Sequence, residues 1–156
     1  MDRSQKIRKL VGAGIVPEQA KALLEVFEGP AVPPEAEAQV LYYIRGADLQ
    51  STADQAFTKV GDWHGGIVAH IYATNGSAAA TSAAGGIYTE PAKGGTNIVS
   101  NTQSWASLTT PQRILTASMS ATQSQVNGSL YLSLTTGSSV PATADIFVVG
   151  VAIQNV

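Results

Sequence analysis

The spacing of apolar residues changes along the chain, from every three or four positions near the start to every second position after about residue 48. In the first part, Ile7, Leu10 and Val11 form one helical stripe, and Ala20, Leu23, Leu24 and Phe27 form another. Asp2 followed by Gln5 suits a capping box, and Gly12 and Gly14 stop the first helix. Pro17 and Glu18 suit the first turn of a second helix, which Gly29 ends. Pro30, Pro33 and Pro34 predict a semi-rigid extended spacer to about Gln39. Val40-Leu41-Tyr42-Tyr43-Ile44 is an apolar β-prone run, either an arm or a first strand. Two short helices cannot bury both stripes against each other well, so this part is expected to dock on something larger. Residues 1–45 are thus predicted to be a helical anchoring segment with a Pro-rich spacer, ahead of a β-domain over 46–156.

In the β-domain, Ala56 to Val60 reads as a short strand and Ile67 to Ala73 as a longer one. On the latter, Ile67, Ala69 and Ile71 share one face, and Val68, His70 and Tyr72 the other. Asn75-Gly76-Ser77 turns the chain, and Ala78 to Ala84 is a loop of small residues. Gly85-Gly86 and Gly94-Gly95 mark turns or bulges around two β-prone pieces, Ile87-Tyr88-Thr89 and Asn97-Ile98-Val99. Leu115, Ala117 and Met119 point inward on the next strand, as do Leu130, Leu132 and Leu134 on the one after. Val126-Asn127-Gly128-Ser129 between those two predicts a type I′ hairpin. Ile146 to Ile153 is apolar on both faces, as a central strand is, with a second sheet on one side and a neighbouring subunit as candidate cover for the other. Short strands with Gly, Pro and Asn turns predict an antiparallel β-sandwich of jelly-roll or related topology.

Composition sharpens this division. Charged residues make up 13 % of the chain, about half the usual share. Beyond residue 100 only Arg113 and Asp145 are charged. Ser, Thr, Asn and Gln must then solvate the surface, or partners must cover it. A net charge of −2 gives no overall basic field for nucleic acid or anionic membrane. Arg3, Lys6, Arg8 and Lys9 on the first helix could be read as the phosphate-facing side of a helix-turn-helix, but a solvated basic face explains them better. There is no cysteine, so disulfides and Cys-based zinc sites are excluded. The polar N-terminus and the absence of an apolar run near the ~20 residues of a membrane helix predict a soluble chain made without a secretion signal.

Four stretches in order carry a resemblance: Ser51-Thr52-Ala53-Asp54-Gln55-Ala56-Phe57; Ala73-Thr74-Asn75-Gly76-Ser77; Ala84-Gly85-Gly86-Ile87-Tyr88-Thr89 with Ala92-Lys93-Gly94-Gly95-Thr96; and Leu130-Tyr131-Leu132-Ser133-Leu134-Thr135-Thr136. Together, over roughly residues 50 to 156, the chain resembles a β-domain that recurs in tailed-bacteriophage structural proteins, and is similar to capsid decoration and head-fibre proteins. The resemblance implies a virion component on the capsid surface, made in the host cytoplasm, homotrimeric and partnered by the major capsid protein. On that reading Ile7, Leu10, Val11, Leu23, Leu24 and Phe27 anchor the chain to the capsid, and Phe147, Val149 and Val151 join the subunits. The alternative is a receptor- or glycan-binding module of a tail fibre, with Trp63 and Trp105 stacking on host-surface sugar, although a core or subunit-contact role suits such large aromatics better.

Reactive groups are scarce, so no enzyme activity and no cofactor is expected. Asp62, His64 and His70 lack a recognised metal-ligand spacing. His64-Gly65-Gly66 is similar to an esterase oxyanion loop, but no Gly-x-Ser-x-Gly elbow accompanies it. The acids Asp48, Asp54, Asp62, Glu90 and Asp145 each fall near a predicted turn or strand end, where solvated carboxylates are ordinary. Lys93 between glycine pairs lacks the remainder of a phosphate loop. Asn75-Gly76-Ser77 and Asn127-Gly128-Ser129 have the glycosylation pattern, and both read better as turns.

Overall fold

The computed structural model describes Gln5, Arg8, Gly14 and residues 37–120 and 124–153. The chain divides into two units, Met1–Pro33 and Pro34–Val156. In the first, Gln5 and Arg8 are helical and Gly14 occupies a turn at φ +93°. The predicted helical pair, with Ile7, Leu10, Val11, Leu23, Leu24 and Phe27, lies outside the described residues.

The second unit is mainly β. Its described residues form β1 (Ala38–Asp48), β2 (Gln55–Ala56), β3 (Thr58–Lys59), β4 (Gly65–Thr74), β5 (Ala84–Glu90), β6 (Gly94–Val99), β7 (Leu115–Thr116), β8 (Ser124–Val126), β9 (Tyr131–Thr136) and β10 (Thr143–Ile153). Val40 to Ile44 belongs to β1, which pairs with β10 from Ala38 to Asp48. The β unit therefore starts before residue 46, which corrects the expected boundary. The physical reason is that an apolar run alongside a central strand is held by ladder hydrogen bonds and burial together.

All strand pairs are antiparallel and fall into two sheets. One has the order β3-β1-β10-β4-β7, with β8 also on β4; the other runs β2-β9-β5-β6. The arrangement is sandwich-like, because both sheets feed one core. Leu41, Val68, Ile71, Ile146 and Val148 enter it from the first sheet, and Ile87, Ile98, Leu132 and Leu134 from the second. Leu132 and Leu134 with Ile146 and Val148 hold the alternation read from their strands.

The expected strand from Ala56 to Val60 is split. Gln55–Ala56 pairs with β9 in one sheet and Thr58–Lys59 with β1 in the other, with buried Phe57 at the crossing. On the opposite side, Ala117 N–H donates to Ile71 O and Ser120 N–H to Ile98 O, so this segment also ties the two sheets together. Strand edges that would otherwise offer unpaired backbone groups are thereby closed at these short stretches.

Two other expectations need correction. Alternation along β4 breaks at Ala69: Val149 pairs with His70 but Gly150 with Val68, leaving Ala69 as the extra residue of a bulge. Val68, Ile71 and Ala73 consequently all face the core, although an unbroken period of two puts Val68 opposite Ile71. Asn127-Gly128 does not make a hairpin, since β8 and β9 lie in different sheets. The chain crosses over there, and Tyr42 Oη donates to Gly128 O at 2.5 Å. Gly85 and Gly86 bear out the bulge expected of the pair: they lie inside β5, where the register with β9 slips between Ala84 and Gly85. A Cβ at Gly85 would sit 2.3 Å from Leu134 Cα and one at Gly86 2.3 Å from Val99 O, so only glycine permits this approach.

Candidate interaction surface

The register across β1, β10 and β4 builds one continuous outer face on the six-stranded sheet. Tyr43, Phe147 and Tyr72 stand in one row, flanked by Thr58 and Thr116 on the outer strands. Val40, Val149 and His70 form the next row, and Ala38, Val151 and Ile67 a third. Leu41 is the extra residue of a bulge in β1, as Ala69 is in β4. The two bulges flank β10 on either side and keep the rows aligned.

The face is apolar and half-buried, although the described residues place nothing over it: Tyr43, Tyr72, Phe147, Val149 and Val151 all keep intermediate exposure. The His70 and Tyr72 rings stack at 5.8 Å and 29°. Arg45 lies 6.0 Å from the centre of the Tyr43 ring, a cation–π contact at the rim. No Asp, Glu or Lys belongs to the three rows. With ~6.8 Å between rows and ~4.8 Å between strands, the patch covers about 300 Å². A standard interface takes about 800 Å² from each partner. Association through this face must therefore extend onto its hydroxyl-bearing margins.

Of the residues expected here from sequence, Phe147, Val149 and Val151 do share this face. Tyr43, Tyr72, Val40, Ile67 and His70 join them only through cross-strand register, for which the sequence carries no local signal.

The two tryptophans are core residues, the role large aromatics favour, and not the stacking platform of the glycan-binding alternative. Trp63 is 1 % exposed and Trp105 0 %, so neither presents a ring face to a sugar. Trp63 packs edge-on against Tyr42 at 5.3 Å and donates from Nε1 to Val60 O at 2.7 Å. Lys59 covers its other side, with Nζ 4.3 Å from the ring centre and donating to Trp63 O at 2.6 Å. Trp105 Nε1 donates to Gly85 O at 3.1 Å. Each indole N–H has found a backbone acceptor, and that lets these rings serve as core pieces despite their loop positions.

The acids mostly hold turns. Asp48 Oδ1 accepts from Gln50 N–H at 2.9 Å, and Asp145 accepts from Gly46 N–H and the Asn75 amide. Asp54 Oδ2 accepts from Ala92 N–H at 2.6 Å, and this bond is the main reason its carboxyl lies below the usual range. Burial pushes the Tyr42 hydroxyl up to about 12. His64 immediately precedes β4 and His70 lies on the outer face, and among the described residues no three His, Cys, Asp or Glu side chains could share a metal ion. No described helix is long and apolar enough to cross a membrane.

Comparison with protein-family models, curated proteins and solved structures finds no match to this chain.

Proposed function

We propose that this protein is a structural component of a tailed-bacteriophage virion: a capsid decoration or head-fibre protein that sits on the major capsid protein as a homotrimer. The observation that carries the proposal is the outer face of β1, β10 and β4, where Tyr43, Phe147, Tyr72, Val149 and Val151 stand together free of acid or Lys. Such a face suits repeated side-by-side contact between copies. Sparse charge over the β unit supports the same reading, as do the stretches that resemble phage β-domains. The β unit is read as a jelly roll: β10 lies between β1 and β4 while β9 lies between β2 and β5, the order produced by two nested Greek keys. The N-terminal segment, with its two apolar stripes, is assigned the grip on the capsid.

The reading is tested on the purified chain and on particles. Light scattering coupled to size exclusion is expected to give a trimer, and Phe147→Glu a monomer with an unchanged circular dichroism spectrum. Quantitative gel analysis of purified particles is expected to find the protein on heads in many copies. A wild-type monomer, or a protein absent from heads, would reject the assignment.

A further inference from the structure

We infer that a second site, at one end of the β unit, binds a neutral saccharide. This goes beyond the structural role proposed above and does not depend on it. A groove of about 470 Å³ opens between the start of β4, the end of β10, the β8 segment and β6, bordered by His64, Gly65, Thr96, Gln125, Asn127 and Ile153. The volume is in the range of small-ligand sites.

Its chemistry selects the ligand class. No Asp, Glu, Lys or Arg lines it, so it offers no fixed charge to a phosphate or a carboxylate, and His64 is its one ligating side chain, too few to hold a metal ion. Gln125, Asn127 and Thr96 are exposed, and their side chains have no hydrogen bond within the described protein. A primary amide presents a donor and an acceptor side by side, which matches the paired donor and acceptor of neighbouring sugar hydroxyls. Ile153, 48 % exposed, supplies an apolar wall for the C–H face of the ring. An extended peptide is the poorer fit. Gly66 already pairs with Ala152 on one side and Val126 on the other, and Gly65 with Ile153, so little of the β4 backbone at the groove is left for an added strand.

The site can also be blocked without disturbing the fold. A Cβ at Gly65 would meet nothing within 4 Å, so Gly65→Val suits the strand and narrows the groove.

The test is a titration of the full-length ¹⁵N-labelled protein, followed by NMR, with methyl glycosides of glucose, galactose and mannose and with N-acetylglucosamine. At least one sugar is expected to shift the amides of Gly65, Gly66, Gln125 and Asn127, with a dissociation constant on the order of 1 mM. The Gln125→Ala, Asn127→Ala double variant should bind about tenfold more weakly, and Gly65→Val not measurably, each with wild-type thermal stability. Phe147→Glu should bind as the wild type does, separating this site from the assembly face. The proposal is overturned if none of these sugars shifts the groove amides, if the shifts survive in the folded variants, or if a neutral peptide such as acetyl-tetraserine amide produces them and no sugar does.

Discussion

The outer faces of the two sheets are built to different ends. On the six-stranded sheet, aromatic and branched residues stand in register with their faces partly in solvent. On the four-stranded sheet, Tyr88 and Ser133, which sit opposite the core-facing Ile87, Leu132 and Leu134, are buried within the β unit itself. Val99 and Asn97 crowd over Gly86, and Asp54 reaches Ala92 in the β5–β6 turn. Ser133 Oγ makes no hydrogen bond of good geometry in this covered position, yet it lies close enough to Asp54 to help hold that carboxylate charged. A covered sheet has its stability built in, whereas an open apolar sheet gains by meeting another surface. The contrast also says where substitution should alter folding and where it should alter assembly.

The largest effect is expected at Gly150, on β10 beside the open outer face. A Cβ there would lie 2.0 Å from Ile67 O and 2.9 Å from Leu41 Cδ1. Gly150→Ala must push β4 away from β10 beside the bulge, and should lower stability in urea unfolding by about 3 kcal/mol or more.

A paired comparison comes next. Tyr88→Ala, on the covered outer face of the four-stranded sheet, should cost about 3–5 kcal/mol in the same assay and leave any oligomer intact once folded. Phe147→Ser, on the open face, should cost about 1 kcal/mol or less in the monomer but weaken association at least tenfold by sedimentation. Equal effects of the two on stability and assembly would erase the distinction between the sheets.

A smaller effect is expected at the β5–β6 turn. Ala92 and Lys93 both have left-handed backbones, at φ 55° and 61°, and Gly94 N–H closes the turn on Pro91 O at 3.1 Å. Neither residue favours that conformation, so Lys93→Gly should raise stability by about 1 kcal/mol.

The smallest concerns Asp54. Its folded carboxyl ionises more readily than in the unfolded chain, so its contribution is present above the unfolded value and fades as pH falls through the folded one. Asp54→Asn should therefore flatten the acid limb of the stability curve slightly, with no change near neutrality beyond loss of the charged acceptor for Ala92 N–H.

Much of the fold was legible in local pattern. Leu130, Leu132 and Leu134 point inward as their spacing requires, as do Leu115, Ala117 and Met119. The two-faced run from Ile146 to Ile153 lies between two strands, as such runs do. Less of the interaction surface could be read, because Phe147, Val149 and Val151 announce themselves along one strand but their neighbours belong to distant stretches. The groove was not legible at all: Thr96 on β6 and Asn127 just after β8 come together from distant stretches, and each alone is an ordinary polar residue.

Taken alone, the order of residues determined which positions prefer the interior and which segments extend, since period and side-chain chemistry act within a few residues. Only the tertiary structure decided the register between strands, the bulges at Leu41 and Ala69 and the burial of Trp63 and Trp105. These depend on which backbone hydrogen bonds can close and which indole N–H finds an acceptor, and both are set by residues far apart in the chain.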